Sequence, residues 1–339
     1  MKDTQIIFTK PNCAELLEVE RQPLGAQDIG VKTMFTTIST GTERANITGD
    51  PVISAHTRPT DKAVFPRMLG YSASGIVMEK GADVTGFEIG DRVAMCWTTH
   101  RSYNVIHQSC AVKMEDGVSF EEAAMVHIGA FSLAAIRKTR LEVGESVMVM
   151  GQGILGLLAV SLARAAGAVP VIAVDPVAQK REGALQFGAD YAFDPFEEEF
   201  VQKVKAITGG GVNAVIEVTG HGSGLNMALD CMARHGRISL LGCTRNSDFT
   251  VDYYRKIHEP GITIVGAHTT ARPEHDSYPG YFTTPDDMKA ILKLCASGRL
   301  NWKDMIAETH APKTCAQVYD RLIHDKDFPV VVQFDWKGL

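Results

Sequence analysis

The sequence has no long apolar run. No stretch reaches the length of a membrane-spanning helix, and the opening MKDTQIIFTK lacks the apolar core of a signal peptide. Closely spaced cysteines are missing too. The seven present, at 13, 96, 110, 231, 243, 295 and 315, are scattered, and no two are three apart. That pattern argues against a zinc ribbon and a disulfide framework, and each cysteine is expected as a small buried free thiol. Positive charge is not in excess. A net charge of -6 gives no reason to expect nucleic acid or an anionic membrane as partner. Internal repeats and low-complexity tracts are also absent. The expected compartment is the cytoplasm.

The chain has 339 residues, 45% hydrophobic and 22% charged, which fits a soluble protein of two domains. Its central stretch, Ser146 to Asp175, reads strand, glycine turn, helix, strand, acid. Val147, Val149 and Met150 form a short apolar run typical of a buried parallel strand. Gly151, Gly153 and Gly156 then satisfy G-x-G-x-x-G where strand meets helix. The first glycine allows a tight turn, the second lets backbone approach a pyrophosphate, and the third lets helix pack on strand. The turn from Gly151 through Gln152, Gly153, Ile154 and Leu155 to Gly156 is therefore expected to hold a dinucleotide at a helix N-terminus. Asp175 lies where an acid binds both ribose hydroxyls of an adenosine. A carboxylate there repels a 2′-phosphate, so NAD(H) is expected over NADP(H). Lys180 and Arg181 follow, and an arginine nearby sometimes accepts that phosphate.

Before this stretch lie short strands broken by turns. Gln5 to Phe8, Cys13 to Val19, Ile29 to Phe35 and Tyr71 to Val77 all read as strand, and polar residues after Gly41 open a short helix. After Asp175 the sequence alternates. Helices are expected at Ala178 to Phe187, Phe196 to Ile207 and Leu225 to Ala233. Strands are expected at Tyr191 to Phe193, Ala214 to Val218, Arg237 to Leu241 and Ile262 to Val265. With the two central strands this makes six, the signature of a doubly wound parallel sheet. Pro285 to Ser297 and Cys315 to His324 read as helices, and Pro329 to Phe334 as a strand able to rejoin the first region.

A glycine turn near mid-chain, GFEIGDRVA before it and LKLCASGRL after it resemble the medium-chain dehydrogenase/reductase family over nearly the whole chain. The resemblance implies an α/β fold: a GroES-like β-barrel catalytic domain from residues 1–128 and 276–339, and a Rossmann NAD-binding domain from 129–275. It implies an active site in the cleft between them, and dimers or tetramers. It also implies a cofactor contact at Lys180, and Thr219, Gly242 and His268 are expected to add others because they sit at or just past strand ends, where the sheet's carboxyl edge faces the ligand. Zinc-dependent members carry cysteine where this chain has Thr40, and His-Glu where it has Tyr71-Ser72. The third ligand position falls near His127, and the family's cysteine cluster after the D-R-V strand is missing. The chain is read as a zinc-free member, because threonine and tyrosine do not replace thiolate and imidazole for tight zinc binding.

Without a metal, something must take the hydroxyl proton and stabilise charge on the oxygen. The resemblance places Thr40, Thr42, Tyr71, Ser72, His100, Tyr103 and His127 around the metal position. His127, in AAMVHIGAF, is the strongest base, and burial there keeps its ring neutral at pH 7. Tyr71 can donate to a carbonyl oxygen, and Thr42 resembles the hydroxyl of the family's proton relay. Glu43 and Arg44 are expected to pair, and Arg101 to be a solvated surface residue. The expected activity is NAD(H)-dependent hydride transfer with a secondary alcohol or ketone of a polar, sugar- or polyol-like substrate. A zinc-free enoyl or quinone reductase stays open, with Asp175 against it, as does a non-catalytic nucleotide-binding sensor. The short S-T-G-T-E-R motif resembles that of bacteriochlorophyllide hydroxyethyl dehydrogenases and sugar or polyol dehydrogenases.

Overall fold

A computed structural model describes residues 2–54, 56–245, 247 and 249–339. The chain divides into two units. One takes residues up to 128 and Met288–Leu339, and the other takes Gly129–Asp287. Residues 276–287, which the sequence reading gives to the first domain, cluster with the second unit.

In the first unit, β1 (Lys2–Lys10) and β2 (Cys13–Glu20) form an antiparallel pair. They are followed by β3 (Asp28–Thr37), α1 (Thr40–Thr48), β4 (Ser72–Lys80), β5 (Arg92–Cys96), β6 (Tyr103–His107) and β7 (Ala111–Lys113). The four-residue helix α2 (Phe120–Ala123) starts from a reciprocal cap. Ser119 accepts the Glu122 N–H, and the Glu122 side chain accepts the Ser119 N–H. The chain passes into the second unit within α3 (Val126–Lys138).

The second unit continues with β8 (Val147–Met150), α4 (Ile154–Ala165), β9 (Val171–Val174), α5 (Ala178–Gln186) and β10 (Tyr191–Phe193). Next come α6 (Phe200–Thr208), β11 (Val212–Glu217), α7 (Gly222–Asp230), β12 (Met232–Leu240) and β13 (Thr263–Gly266). The six strands lie in the order β10-β9-β8-β11-β12-β13, every pair parallel. Strands β8 and β9 are buried at every residue, which is why they read as unbroken apolar runs and not as alternation. Met148, Met150, Ile172, Val215 and Ile238 pack against Phe200, Val204 and Leu229 of the covering helices.

Several boundaries differ from the sequence reading. Helix α6 begins at Phe200, not Phe196. Asp194 accepts the Phe196 N–H, Glu199 takes a left-handed conformation, and Phe196 is 72% exposed, outside the apolar face. Helix α7 ends at Asp230, and Ala233 already belongs to β12.

The chain returns to the first unit within α8 (Thr284–Ala296), then adds β14 (Glu308–His310), α9 (Cys315–His324) and β15 (Val332–Asp335). Strand β15 pairs with β3, so the last strand does rejoin the first region. The sheet runs β14-β15-β3-β4-β5-β7, with β6 also on β3. Helix α9 buries Cys315, Val318, Tyr319 and Leu322, a single stripe at helical spacing, against Ile6, Phe8, Ile47 and Phe334. Among the described residues no helix is long and apolar enough to cross a membrane.

Candidate functional site

The glycine turn is built by backbone. Gly151 has φ +95 and donates its N–H to Val174 O at 2.7 Å, tying the end of β8 to β9. A Cβ on Gly156 would stand 1.8 Å from Gly151 O, so only glycine lets the first turn of α4 rest on the loop. The first intrahelical bond runs from Leu157 N to Gly153 O, and Gly153 is an N-cap with no side chain. The N–H groups of Ile154, Leu155 and Gly156 precede that bond at the positive end of a 12-residue helix. This is the arrangement that receives a pyrophosphate.

Asp175 follows β9 and is buried. Its Oδ2 accepts the Gln152 N–H at 2.8 Å and its Oδ1 the Val177 N–H at 2.9 Å. Gln152, an expected cofactor contact, therefore spends its backbone N–H on Asp175, while its side-chain amide donates to Val149 O at 2.9 Å. Each carboxylate oxygen keeps acceptor capacity for a ribose hydroxyl. Arg181 is committed elsewhere: one guanidinium nitrogen reaches Asp175 O at 2.7 Å, Pro176 O at 2.9 Å and Asp194 Oδ2 at 3.2 Å. Lys180 is half-buried in the first turn of α5.

Thr219 lies beside Gly151, since a Cβ on that glycine would come within 3.1 Å of its Cγ2. Both its N–H and its hydroxyl donate to Glu217 Oε1, and Gly220 N donates to Oε2 at 3.1 Å. Burial pushes the Glu217 carboxyl up, and the hydrogen bonds from Thr219 and Gly220 oppose that shift. Gly242 donates its N–H to Glu217 O at 2.8 Å, and a Cβ there would meet Gly220 N at 2.4 Å. His268 is exposed and bonds Thr270 through Nδ1 at 2.8 Å. All these residues follow the carboxyl ends of the consecutive strands β9, β8, β11, β12 and β13, the edge where open α/β sheets take ligands. Glu217, which shapes this edge, is missed by sequence reasoning. Its one signal is an acid closing the apolar run Ala214 to Ile216.

In the first unit a second polar group surrounds α1. Glu43 is fully buried. It accepts the Ser39 N–H at 2.9 Å, the Tyr319 hydroxyl at 2.5 Å and His100 Nε2 at 3.1 Å. Burial, then the Glu43 charge, raises Tyr319 well above the usual phenol range and keeps it a donor. The other His100 nitrogen meets Thr36 Oγ1 at 2.7 Å, and that oxygen also accepts the Trp336 indole N–H at 2.9 Å. With Nε2 protonated and Nδ1 accepting from Thr36, every group in this network is satisfied. The expected Glu43–Arg44 pair does not form, because Arg44 Nε donates to Leu322 O at 2.8 Å.

Ser39 is the N-cap of α1, yet its side chain does not cap the helix. Its hydroxyl oxygen instead accepts from the Tyr71 phenol at 2.5 Å. The Tyr71 carbonyl meets His127 Nδ1 at 2.7 Å, and His127 is fully buried. A carbonyl only accepts, so Nδ1 carries a proton toward Tyr71. Trp97 stands edge-on to His127 at 4.7 Å and tilted to Tyr71 at 6.1 Å, with a left-handed φ of 57 and 49% exposure. Such a conformation is rare for a bulky residue and clusters at functional sites. Thr40 and Thr42 are half-buried in the first turn of α1. Ser72 is buried, and its hydroxyl donates to Ala124 O at 2.7 Å.

Tyr103 is not part of this group. It donates to Glu79 Oε1 at 2.7 Å beneath the Arg21 guanidinium. Nor is Arg101 solvated: it is buried against Asp3 at 3.1 Å, a partner 98 residues away. Among the cysteines Cys243 is exposed, contrary to expectation, and Cys13, Cys110 and Cys295 are only partly buried.

Residues 40–143 match the family described as alcohol dehydrogenase GroES-like domain, and residues 155–284 match that described as zinc-binding dehydrogenase. The chain is 31% identical over 339 residues to an L-threonine 3-dehydrogenase of Pyrococcus horikoshii, covering 91% of this chain and 92% of that one. It is 28% identical over 319 residues to a D-guloside 3-dehydrogenase of Escherichia coli, covering 89% and 91%. A solved Escherichia coli oxidoreductase/dehydrogenase of unknown specificity superposes with a TM-score of 0.84 at 18% identity, covering 99% of both chains.

Proposed function

The chain belongs to the medium-chain, zinc-type alcohol and polyol dehydrogenase family, and on that footing we propose that it is a zinc-independent, NAD(H)-dependent alcohol dehydrogenase. The substrate in this reading is a secondary alcohol, or the matching ketone, on a polar sugar- or polyol-like molecule. Likeness to proteins named for the 3-position of a guloside and of threonine supports a secondary alcohol.

One observation carries the cofactor choice. Asp175 is held by two backbone N–H groups beside a glycine turn, and the nearby Arg181 is occupied. Ribose hydroxyls can donate to that carboxylate, whereas a 2′-phosphate would face it without an arginine to neutralise it. The glycine turn, the start of α4 and Asp175 fit a nicotinamide dinucleotide, which when bound supplies the hydride acceptor or donor.

Zinc fits poorly. Thr40 and Tyr71 offer neutral oxygens, the Tyr71 hydroxyl is engaged with Ser39 and the Ser72 hydroxyl with Ala124 O. His127 is then the only nitrogen ligand at the positions the family uses. In place of a metal, His127 Nε2 takes the hydroxyl proton during oxidation and returns it during reduction. The Tyr71 phenol, aligned by Ser39, donates to the substrate oxygen as charge develops there. Trp97 supplies an apolar wall next to both. Oligomers form through β13, a sheet edge with Thr263, Ile264 and Gly266 exposed. The scattered free cysteines suit a reducing cytoplasm.

Titration with the two reduced cofactors tests this reading. NADH is expected to bind at least about tenfold tighter than NADPH, roughly 1.4 kcal/mol. Asp175→Ser narrows that ratio by weakening NADH and relieving NADPH. Equal or tighter NADPH binding by the unmodified chain overturns the assignment.

A further inference from the structure

Cys96 and Cys110 have no part in the proposed reaction, yet the fold sets them against each other. Strands β5 and β7 pair antiparallel, Val93 with Lys113, Ala94 with Val112 and Met95 with Ala111. The next pair in that register is Cys96 and Cys110, the latter closing the short 3-10 turn that enters β7. Their thiols hydrogen-bond to one another. The adjoining pair, Met95 and Ala111, is directly opposed, and opposed strand residues have Cα atoms about 4.5 to 5.5 Å apart, which brings the two cysteines beside it near the roughly 4.4 to 6.8 Å that a disulfide spans. Cys96 is buried and Cys110 half-buried, so a small oxidant reaches the second thiol first.

We propose that Cys96 and Cys110 form an oxidisable dithiol site, which a peroxide converts to a reversible disulfide. The Cys110 thiolate attacks one peroxide oxygen, the O–O bond breaks, and one water leaves after protonation. The resulting sulfenic acid is attacked by the Cys96 sulfur. The S–S bond forms, the S–O bond breaks, and the Cys96 proton leaves with the hydroxyl as a second water. Two thiols lose two electrons and two protons, and hydrogen peroxide is reduced to two waters. A thiol reductant reverses the step by exchange.

The Cys110 thiol is suited to the first attack. It is drawn down to about 7, chiefly by the hydrogen bond from Cys96, with Ser109 helping and burial and Asp28 opposing. A thiolate fraction near neutral pH is what oxidant-sensing cysteines share. The bond would act next to the candidate site, because Trp97 directly follows Cys96 and packs on His127 and Tyr71. Oxidation should therefore be visible in the Trp97 environment.

The test is a disulfide map of the full chain after brief exposure to hydrogen peroxide, alkylation of remaining thiols and proteolysis without reductant. The expected product is a Cys96–Cys110 crosslinked peptide, two hydrogens lighter than the separate thiols and cleaved by dithiothreitol. A change in tryptophan fluorescence should accompany it and vanish in Trp97→Phe. Cys110→Ser should lose the crosslink, but the map of the unmodified chain decides the question whether or not that variant folds. Sulfinic or sulfonic acid at Cys110, pairing of either residue with another cysteine, or both thiols still open to alkylation after Cys243 has been oxidised would overturn the proposal.

Discussion

Gly156→Val should abolish nucleotide binding, raising the Kd for NADH by at least about 100-fold, or roughly 2.7 kcal/mol. The cause is steric and local. Even a single Cβ at this position lies 1.8 Å from Gly151 O, far inside contact distance, and the obstacle is backbone. Relief requires α4 to lift from the loop, which moves its leading N–H groups away from where phosphates sit. Overpacking of this kind also costs stability, typically about 1 to 3 kcal/mol, so the melting temperature should fall. Gly153→Ala provides the contrast. Its φ is -74 and an added Cβ meets nothing within 4 Å, so the apo fold should melt unchanged. The methyl group would instead occupy the space a pyrophosphate needs, and NADH binding should weaken without loss of stability. Fluorescence titration with NADH and a melting curve separate the two. NADH binding at the parental Kd in Gly156→Val would mean the turn is not the cofactor site.

His127→Asn should lower kcat by about 10²- to 10⁴-fold, the usual worth of a general base, while the Kd for NADH stays unchanged. Asparagine keeps an N–H for the Tyr71 carbonyl, now met by His127 Nδ1 at 2.7 Å, so the packing contact survives. What it removes is the basic nitrogen. A variant with full kcat would reduce His127 to a packing residue.

The parallel sheet was legible because its central strands are short unbroken apolar runs closed by glycine, and Asp175 because it ends one of them. The start of α6 was not. Phe196 extends the amphipathic pattern, but Asp194 accepts its N–H in a turn and the left-handed Glu199 separates it from the helix. The environments of His100 and Glu43 were beyond local reading. Glu43 meets Tyr319 across 276 positions, and Trp336 reaches Thr36 across 300, through the return of the last strand to β3. The family resemblance grouped His100 with Tyr71, whereas the fold occupies both its nitrogens within the buried network. Trp97 escaped notice because nothing in its neighbours marks it, and Ser39 was read only as the first letter of S-T-G-T-E-R. Only the hydroxyl turned from its cap to Tyr71, and the left-handed backbone at Trp97, set them apart.

The claim at the centre is hydride transfer without zinc. The direct measurement is NAD-dependent oxidation of a secondary polyol by protein stripped with a chelator, with metal content determined on the same sample. Undiminished turnover at zinc far below one ion per chain is the predicted result. Turnover that disappears on stripping and returns in proportion to added zinc would contradict it.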